Sequence, residues 1–338
     1  MTLVPQWRTT LLVLCLVVFG ALVVRGSVAQ AGTAAARDGI VLVTTRLAYQ
    51  GGAAAGTGMV VTPTGRVVTN NHVIAGAASV SVTVPSTRRT YTAQVVGYDV
   101  VDDVALLQLR GAVNLATVTR GSSSSVAVGD PVTAVGNAGG TGSLSAAAGK
   151  VIGVGRSIRA GDDQGRSERL TGLIETNAHV RPGDSGGPLL DSGGRVVGMV
   201  TAASGPSFRF RGAPAASAFA IPVAKAFALA QKIASGRSSA AVHVGPTAFL
   251  GVQVTAVDAG STAGALIAGV VRGAPAASAG IATGDVITAL AGRRVASPSA
   301  VSSILLTKKP GMRVAVAYVD GAGSTHATSV TLASGPPQ

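Results

Sequence analysis

Three short stretches of the sequence hold side chains that together could carry out nucleophilic chemistry. In RPGDSGGPLL, residues 181–190, Ser185 stands between an acid and two glycines. A serine hydroxyl attacks only when a base takes its proton, a further group orients that base, and backbone amides receive the developing oxyanion. Up to residue 236 the chain offers only His72 and His179 as bases. His72 lies in VVTNNHVIAG, where a predicted strand gives way to a polar turn that can display an imidazole. The orienting acid comes from Asp99, Asp102 or Asp103 in YDVVDDVALLQL. Asp103 directly precedes a predicted strand, where an acid can be buried beside a histidine while its backbone stays paired. Period alone does not separate Asp102 from Asp103. The glycines around Ser185 let the backbone turn tightly and leave the amides of Gly183 and Ser185 unobstructed, facing one concavity. Read by itself, the stretch also fits a glycine-rich turn with an incidental serine.

Other chemistries find little support. His243 and His326 are far in sequence from any acidic cluster, which predicts surface or turn roles. Zinc sites need several ligands, and with one cysteine in the whole chain no metal site is expected. GTGSLSAAAGKV superficially suggests a phosphate loop, but Leu144 replaces the first glycine and Val151 the hydroxyl residue after Lys150. No cofactor is called for. The net charge of +13, from 27 Lys plus Arg against 14 Asp plus Glu, is spread without a basic run, and aromatics make up only 3%. That combination argues against a nucleic-acid partner.

The elements that would position these residues are mostly β. Abundant glycine, 46 of 338 residues, with valine, threonine and serine favours short strands and tight turns. From Gly39 to about Ala202 a succession of short β segments, separated by Gly, Asp, Ser and Pro, fits a barrel or sandwich. PVAKAFALAQKIASG, from Pro222 to Gly236, changes to helical spacing at Val223, Phe227, Ala230 and Ile233, with Pro222 suited to the start and Gly236 to the stop. A linker at 237–247 leads to a second unit at 248–335, again strands with a helix in SPSAVSSILLTKK, and SGPPQ reads as a frayed end. The length suits two domains.

At the N-terminus, TTLLVLCLVVFGALVV, residues 9–24, would span as a helix about 24 Å against the ~30 Å hydrocarbon core. That suits a signal peptide with cleavage after Ala31 better than a permanent anchor, so residues 1–31 are expected to export the chain, or to tether it to the membrane if uncleaved. Cleavage would leave the mature chain without its one cysteine, Cys15, and so without disulfides.

TNNHVI around His72, DDVALLQL around Asp103 and GDSGGP around Ser185, in that order, resemble the chymotrypsin-fold serine proteases. AFAIPVAKA after the last barrel strand and the appended unit narrow the resemblance to the HtrA (Deg) family, and within it to secreted single-PDZ members of the PepA type from high-GC Gram-positive bacteria. The resemblance implies a mainly β fold, a double β-barrel followed by a PDZ domain. It implies His72 as general base and acid, Asp103 as its orienting carboxylate and Ser185 as nucleophile, with oxyanion amides from Gly183 and Ser185 and a further one from Asp184. The implied activity is ATP-independent endopeptidase action on misfolded or exported proteins, outside the cytoplasm, in a homotrimer. The family more often has asparagine where Asp184 stands, whereas digestive relatives pair an aspartate there with a newly cut N-terminus; no such amine is evident near Gly39, so the partner of Asp184 is left open. His179 falls where the fold lines the S1 pocket; either it narrows and polarises that pocket or it hydrogen-bonds a loop carbonyl, and the second reading is the simpler. Phe249, Leu250, Gly251 and Val252 stand where PDZ domains bind a peptide's C-terminal carboxylate, and SAGIATGDVITALAG matches the other recurrent phrase. RSIRAGDDQGRSER, 156–169, stands where the family keeps its activation-sensing loop. The rival reading is a chaperone-like PDZ adaptor whose barrel is catalytically silent.

Overall fold

A computed structural model describes residues 37–49, 51–161, 167–203, 217–257 and 263–338. The segment 1–31, with its export or tethering role, and the tip of the 156–169 stretch at 162–166 lie outside the described residues. Among those described, no helix is long and apolar enough to cross a membrane.

The first half of the fold comprises β1 (Ile40–Leu47), β2 (Ala53–Val60), β3 (Arg66–Thr69), α1 (Asn71–Ile74), β4 (Ala77–Val84), β5 (Arg89–Asp99) and β6 (Val104–Leu109). These strands pair in the order β5-β4-β1-β2-β3-β6, and β6 pairs back to β5 to close a barrel. A second closed barrel holds β7 (Pro131–Gly136), β8 (Ser145–Gly161), β9 (Ser167–Thr176), β10 (Pro188–Leu190), β11 (Val196–Ala203) and β12 (Ala218–Pro222). The strands facing the junction are apolar on both sides because successive side chains point to opposite faces. Val67 and Leu107 fill the first barrel, while their neighbours Val68 and Leu106 join Met199, Phe219 and Ile221 in a core between the barrels. Leu189, Val197 and Ala220 fill the second barrel. The cleft between the barrels is therefore fixed by an apolar seam. The 156–169 stretch is for the most part not a loop: β8 runs on through Gly161 and pairs with β9, Arg156 opposite Leu173 and Gly161 opposite Ser167.

Helix α2 (Val223–Ala234) seals the seam with Val223, Ala226, Ala230 and Ile233 buried and Gly236 in the left-handed region at its stop. Phe227, assigned to the same stripe from the sequence, is only partly buried and carries the Arg120 guanidinium over its ring. The 237–247 linker is not plain coil: β13 (Val242–Val244) adds to β5 at the edge of the first barrel. That pairing buries His243, expected at a surface or turn, to 1% exposure opposite Tyr98, its Nδ1 3.0 Å from the Leu306 carbonyl and its Nε2 3.1 Å from that of Pro246.

The C-terminal unit contains β14 (Thr247–Phe249), β15 (Val252–Ala256), β16 (Ala265–Val270), α3 (Pro275–Ser278), β17 (Val286–Leu290), β18 (Arg293–Arg294), α4 (Pro298–Leu306), β19 (Arg313–Val319), β20 (Thr325–Thr331) and β21 (Ala333–Gly335). Its sheet runs β15-β16-β17-β19-β20, with β15 at an edge, around a core that includes Ile267, Ile287, Val316 and Ile304. His326 lies exposed within β20, as expected of a surface residue, yet meets an acid, Asp320 Oδ2 at 2.7 Å. The hydrogen bond from His326 is the main reason that the Asp320 carboxyl sits below its ordinary range. The end of the chain is not frayed: β21 pairs with β14, and Gly335 leaves the room that the Phe249 ring occupies, since a Cβ there would lie 2.4 Å from the Phe249 Cβ.

Candidate active site

His72 is presented by the single turn of α1, which follows β3 directly, so the first barrel wall holds the imidazole at the cleft. Its ring Nδ1 lies 2.9 Å from Asp103 Oδ2 and its backbone N–H donates to Asp103 Oδ1 at 3.0 Å. Thr201, from β11 of the other barrel, donates its hydroxyl to the same Oδ2 at 2.5 Å. Asn70 donates its side-chain amide to the Asp103 carbonyl at 2.9 Å. Asp103 itself has φ of 53°, a left-handed conformation that aspartate tolerates better than most residues. The carboxylate is only 6% exposed, the imidazole 43%, so the acid is fixed in the interior while the ring reaches the cleft.

The three acids of YDVVDDVALLQL part company here. Asp99 is buried, accepts the Asp102 amide at 2.9 Å, and is pushed up from its ordinary value by burial. Asp102 turns outward and pairs with Lys225 of α2 at 2.5 Å. Asp103 is the one beside His72.

Ser185 lies on the turn entering β10, half-buried, its carbonyl accepting the Thr57 amide at 2.8 Å. The α1 segment and the Ser185 segment meet over Gly56 of β2: a Cβ placed there would lie 2.6 Å from Val73 Cγ1 and 3.3 Å from the Ser185 carbonyl. Thr57 is wholly buried and ties the second barrel's loop to the first barrel. Its hydroxyl donates to the Gly183 carbonyl at 2.7 Å and accepts the Asn137 amide at 2.9 Å, while its carbonyl accepts the Thr69 hydroxyl at 2.7 Å. Gly183, at φ 99°, and Gly186, at φ 85°, are required by this closeness, for a Cβ on either would fall 2.1 Å from a carbonyl oxygen, of Asn137 and Thr57 respectively. Among the described residues the amides of Gly183 and Ser185 have no intramolecular acceptor. The Asp184 amide does: it donates to the Arg181 carbonyl at 3.0 Å, which corrects its assignment as a further oxyanion donor.

The Asp184 side chain folds inward, 3% exposed, with Oδ2 accepting the Arg181 amide at 2.9 Å and Oδ1 buried against Gly136 without a partner among the described residues. Burial pushes its carboxyl above the ordinary value, and the Arg181 amide and charge offset only part of that.

Two family models match the chain, a trypsin-like peptidase domain over residues 56–199 and a PDZ domain over residues 248–328. A probable periplasmic serine endoprotease of the DegP-like kind from Chlamydia muridarum is 35% identical over 273 residues, covering 78% of this chain and 51% of that one. The serine protease PepD of Mycobacterium tuberculosis is 33% identical over 290 residues, covering 82% and 60%. The chain belongs to the HtrA family. It spans between half and two thirds of the length of these relatives. A solved HtrA-type protease, AlgW with a tripeptide, is 27% identical with a TM-score of 0.52, covering 91% of this chain and 97% of that one.

In this HtrA chain Phe249, Leu250, Gly251 and Val252 come together at the mouth of a cavity of about 470 Å³. Gly251, at φ 89°, turns the backbone against Ala274, while edge strand β15 and Val301 and Leu305 of α4 form the facing walls. An edge strand opposite an apolar helix is the arrangement a peptide needs to add as a further strand. Tyr49 of the first barrel stacks on the Phe249 ring at 5.2 Å. His179 is exposed, while its neighbour Ala178 is buried. Thr57, Asn70 and Thr201 are the functional residues that motif reading missed. Thr57 had a readable signal, a threonine between two glycines in GTG, where strands approach closely. Thr201 had none, because its role arises only when the barrels meet.

Proposed function

We propose that this chain is an extracytoplasmic, ATP-independent serine endopeptidase that acts through an acyl-enzyme intermediate. The observation that carries the reading is the buried Asp103 carboxylate, which accepts from His72 at both the ring and the backbone. In this reading His72 takes the Ser185 proton as the hydroxyl attacks the substrate carbonyl, and Asp103 stabilises the imidazolium. The oxyanion lies at the amides of Gly183 and Ser185. His72 then returns the proton to the leaving amine, and water repeats the cycle to free the enzyme.

The peptidase unit is taken as 39–236 and the peptide-binding unit as 248–335, with Phe249–Val252 receiving the C-termini of unfolded or exported polypeptides. His179 contributes at most to the rim of the S1 pocket, in line with its exposure. Closeness to PepA-type members, a homotrimer, and tethering through an uncleaved 1–31 segment rest on the resemblance alone.

The test is hydrolysis of casein by the full chain beside its Ser185→Ala variant, with fluorophosphonate labelling in parallel. The expected loss is about 10⁶ in kcat. Activity should also fall between about pH 8 and 5 as His72 gains a proton and ceases to act as base. Equal rates for the two proteins would leave a peptide-binding unit beside a silent barrel, the adaptor reading.

A further inference from the structure

Beyond β21, residues 336–338 cross from the peptide-binding unit to the first barrel and end against the turn that carries His72. The Pro337 carbonyl accepts the Gly76 amide at 2.8 Å, and the Gln338 carbonyl accepts the Asn71 side-chain amide at 2.9 Å. Asn71 opens α1 and Gly76 follows it, so two successive carbonyls of the tail hold both ends of the turn, with His72 between them. The Gln338 amide donates to the Tyr98 hydroxyl at 3.2 Å, and that hydroxyl also meets Thr247 Oγ1 at 3.0 Å. Tyr98 is wholly buried, so the tail is fastened to the barrel interior and not to a mobile surface.

We propose that residues 336–338 are a positioning strap for His72. The inference rests on His72 being the general base. Asp103 grips α1 from the interior, through the His72 amide and ring and through Asn70. A single helical turn has too few internal hydrogen bonds to hold itself. The strap supplies the opposing grip. Two consecutive prolines suit it, because they have few conformations to lose on ordering. Asn71 Oδ1 and Gln338 Oε1 are buried without a partner among the described residues. Pro336, Pro337 and Gln338 also line the cavity bounded by Phe249–Val252, so Pro337 and Gln338 touch both the peptide groove and the His72 turn.

The experiment compares the full chain with a chain ending at Gly335 and with Asn71→Ala. Steady-state hydrolysis of casein-derived peptides gives kcat and KM, and proton NMR follows the far-downfield resonance of the His72 Nδ1–H bound to Asp103. Loss of the strap should lower kcat about tenfold with KM within about twofold, since misplacement of a reacting group acts on the chemical step. The downfield resonance should broaden or shift, Asn71→Ala should show a smaller change in the same direction, and Pro-Pro-Gln tripeptide added in trans should restore part of both. Unchanged kcat and an unchanged resonance in the shortened chain would overturn the strap. If the full chain hydrolyses nothing, the endopeptidase reading fails, and the resonance still decides whether the tail holds His72.

Discussion

Asp103 and Asp184 are two buried carboxylates on opposite sides of one cleft, and the protein treats them differently. Asp103 accepts from the His72 ring, the His72 amide and the Thr201 hydroxyl, so both of its oxygens are engaged by donors from two barrels. Among the described residues Asp184 accepts one amide, from Arg181, and leaves its other oxygen buried and unpaired. A buried charge is stable in proportion to the donors it meets. The contrast separates a carboxylate held for a task from one that the fold tolerates at a cost.

The sharpest way to break the comparison is Asp103→Asn. Asparagine keeps the left-handed backbone and the size but offers an amide to His72, which fixes the wrong tautomer; in a serine protease of known mechanism the equivalent change lowers kcat about 10⁴-fold. The same order of loss in peptide hydrolysis is expected, with fluorophosphonate labelling of Ser185 slowed in parallel. A loss below about tenfold would mean that Asp103 is structural.

Next in size is Thr57→Val, which removes the hydroxyl joining the Gly183 carbonyl to the Asn137 amide. We expect kcat to fall about 10–100-fold with little change in KM, since the oxyanion amides lose their placement. Thermal stability should also fall, by roughly 1–3 kcal/mol for the stranded buried groups, and Thr57→Ser should recover both. Failure of serine to rescue would assign the effect to packing instead.

The smallest effect, opposite in sign, belongs to Asp184→Asn. Burial raises the Asp184 carboxyl in the folded chain above its unfolded value, so the folded state takes up a proton more readily. Its contribution is fully present below the unfolded-state value and is lost as pH rises through the raised folded one. At neutral pH Asp184 is therefore a cost, and asparagine should raise Tm by a few degrees, about 1 kcal/mol. The gain should shrink as pH falls through the raised folded value and be gone by about pH 4, the ordinary carboxylate range. A gain that is the same at every pH would show that charge is not the cause.

Much of this was readable in the chain. The β segments, α2 and the ordered motifs around His72, Asp103 and Ser185 follow from local patterning, because strand and helix periods and glycine turns are written in neighbouring residues. Three readings failed for one shared reason. His243 looked like a linker residue, SGPPQ like a frayed end, and Asp184 like a further oxyanion donor. Each is decided by a partner far away or by a backbone turn: Tyr98 across β5 for His243, Asn71 and Gly76 for the tail, and the Arg181 carbonyl for the Asp184 amide.

By itself the sequence determined which residues have the chemistry and which elements display them, since residue type and short-range period set both. Period alone did not separate Asp102 from Asp103, a choice that the family resemblance made. Nor did the sequence mark Thr201 or Gln338 as partners of the site. Only the tertiary structure decided those, because packing two barrels and a third unit together determines which hydroxyl, amide or carbonyl meets a buried charge or a histidine turn. Such pairings have no signature within either of the segments that form them.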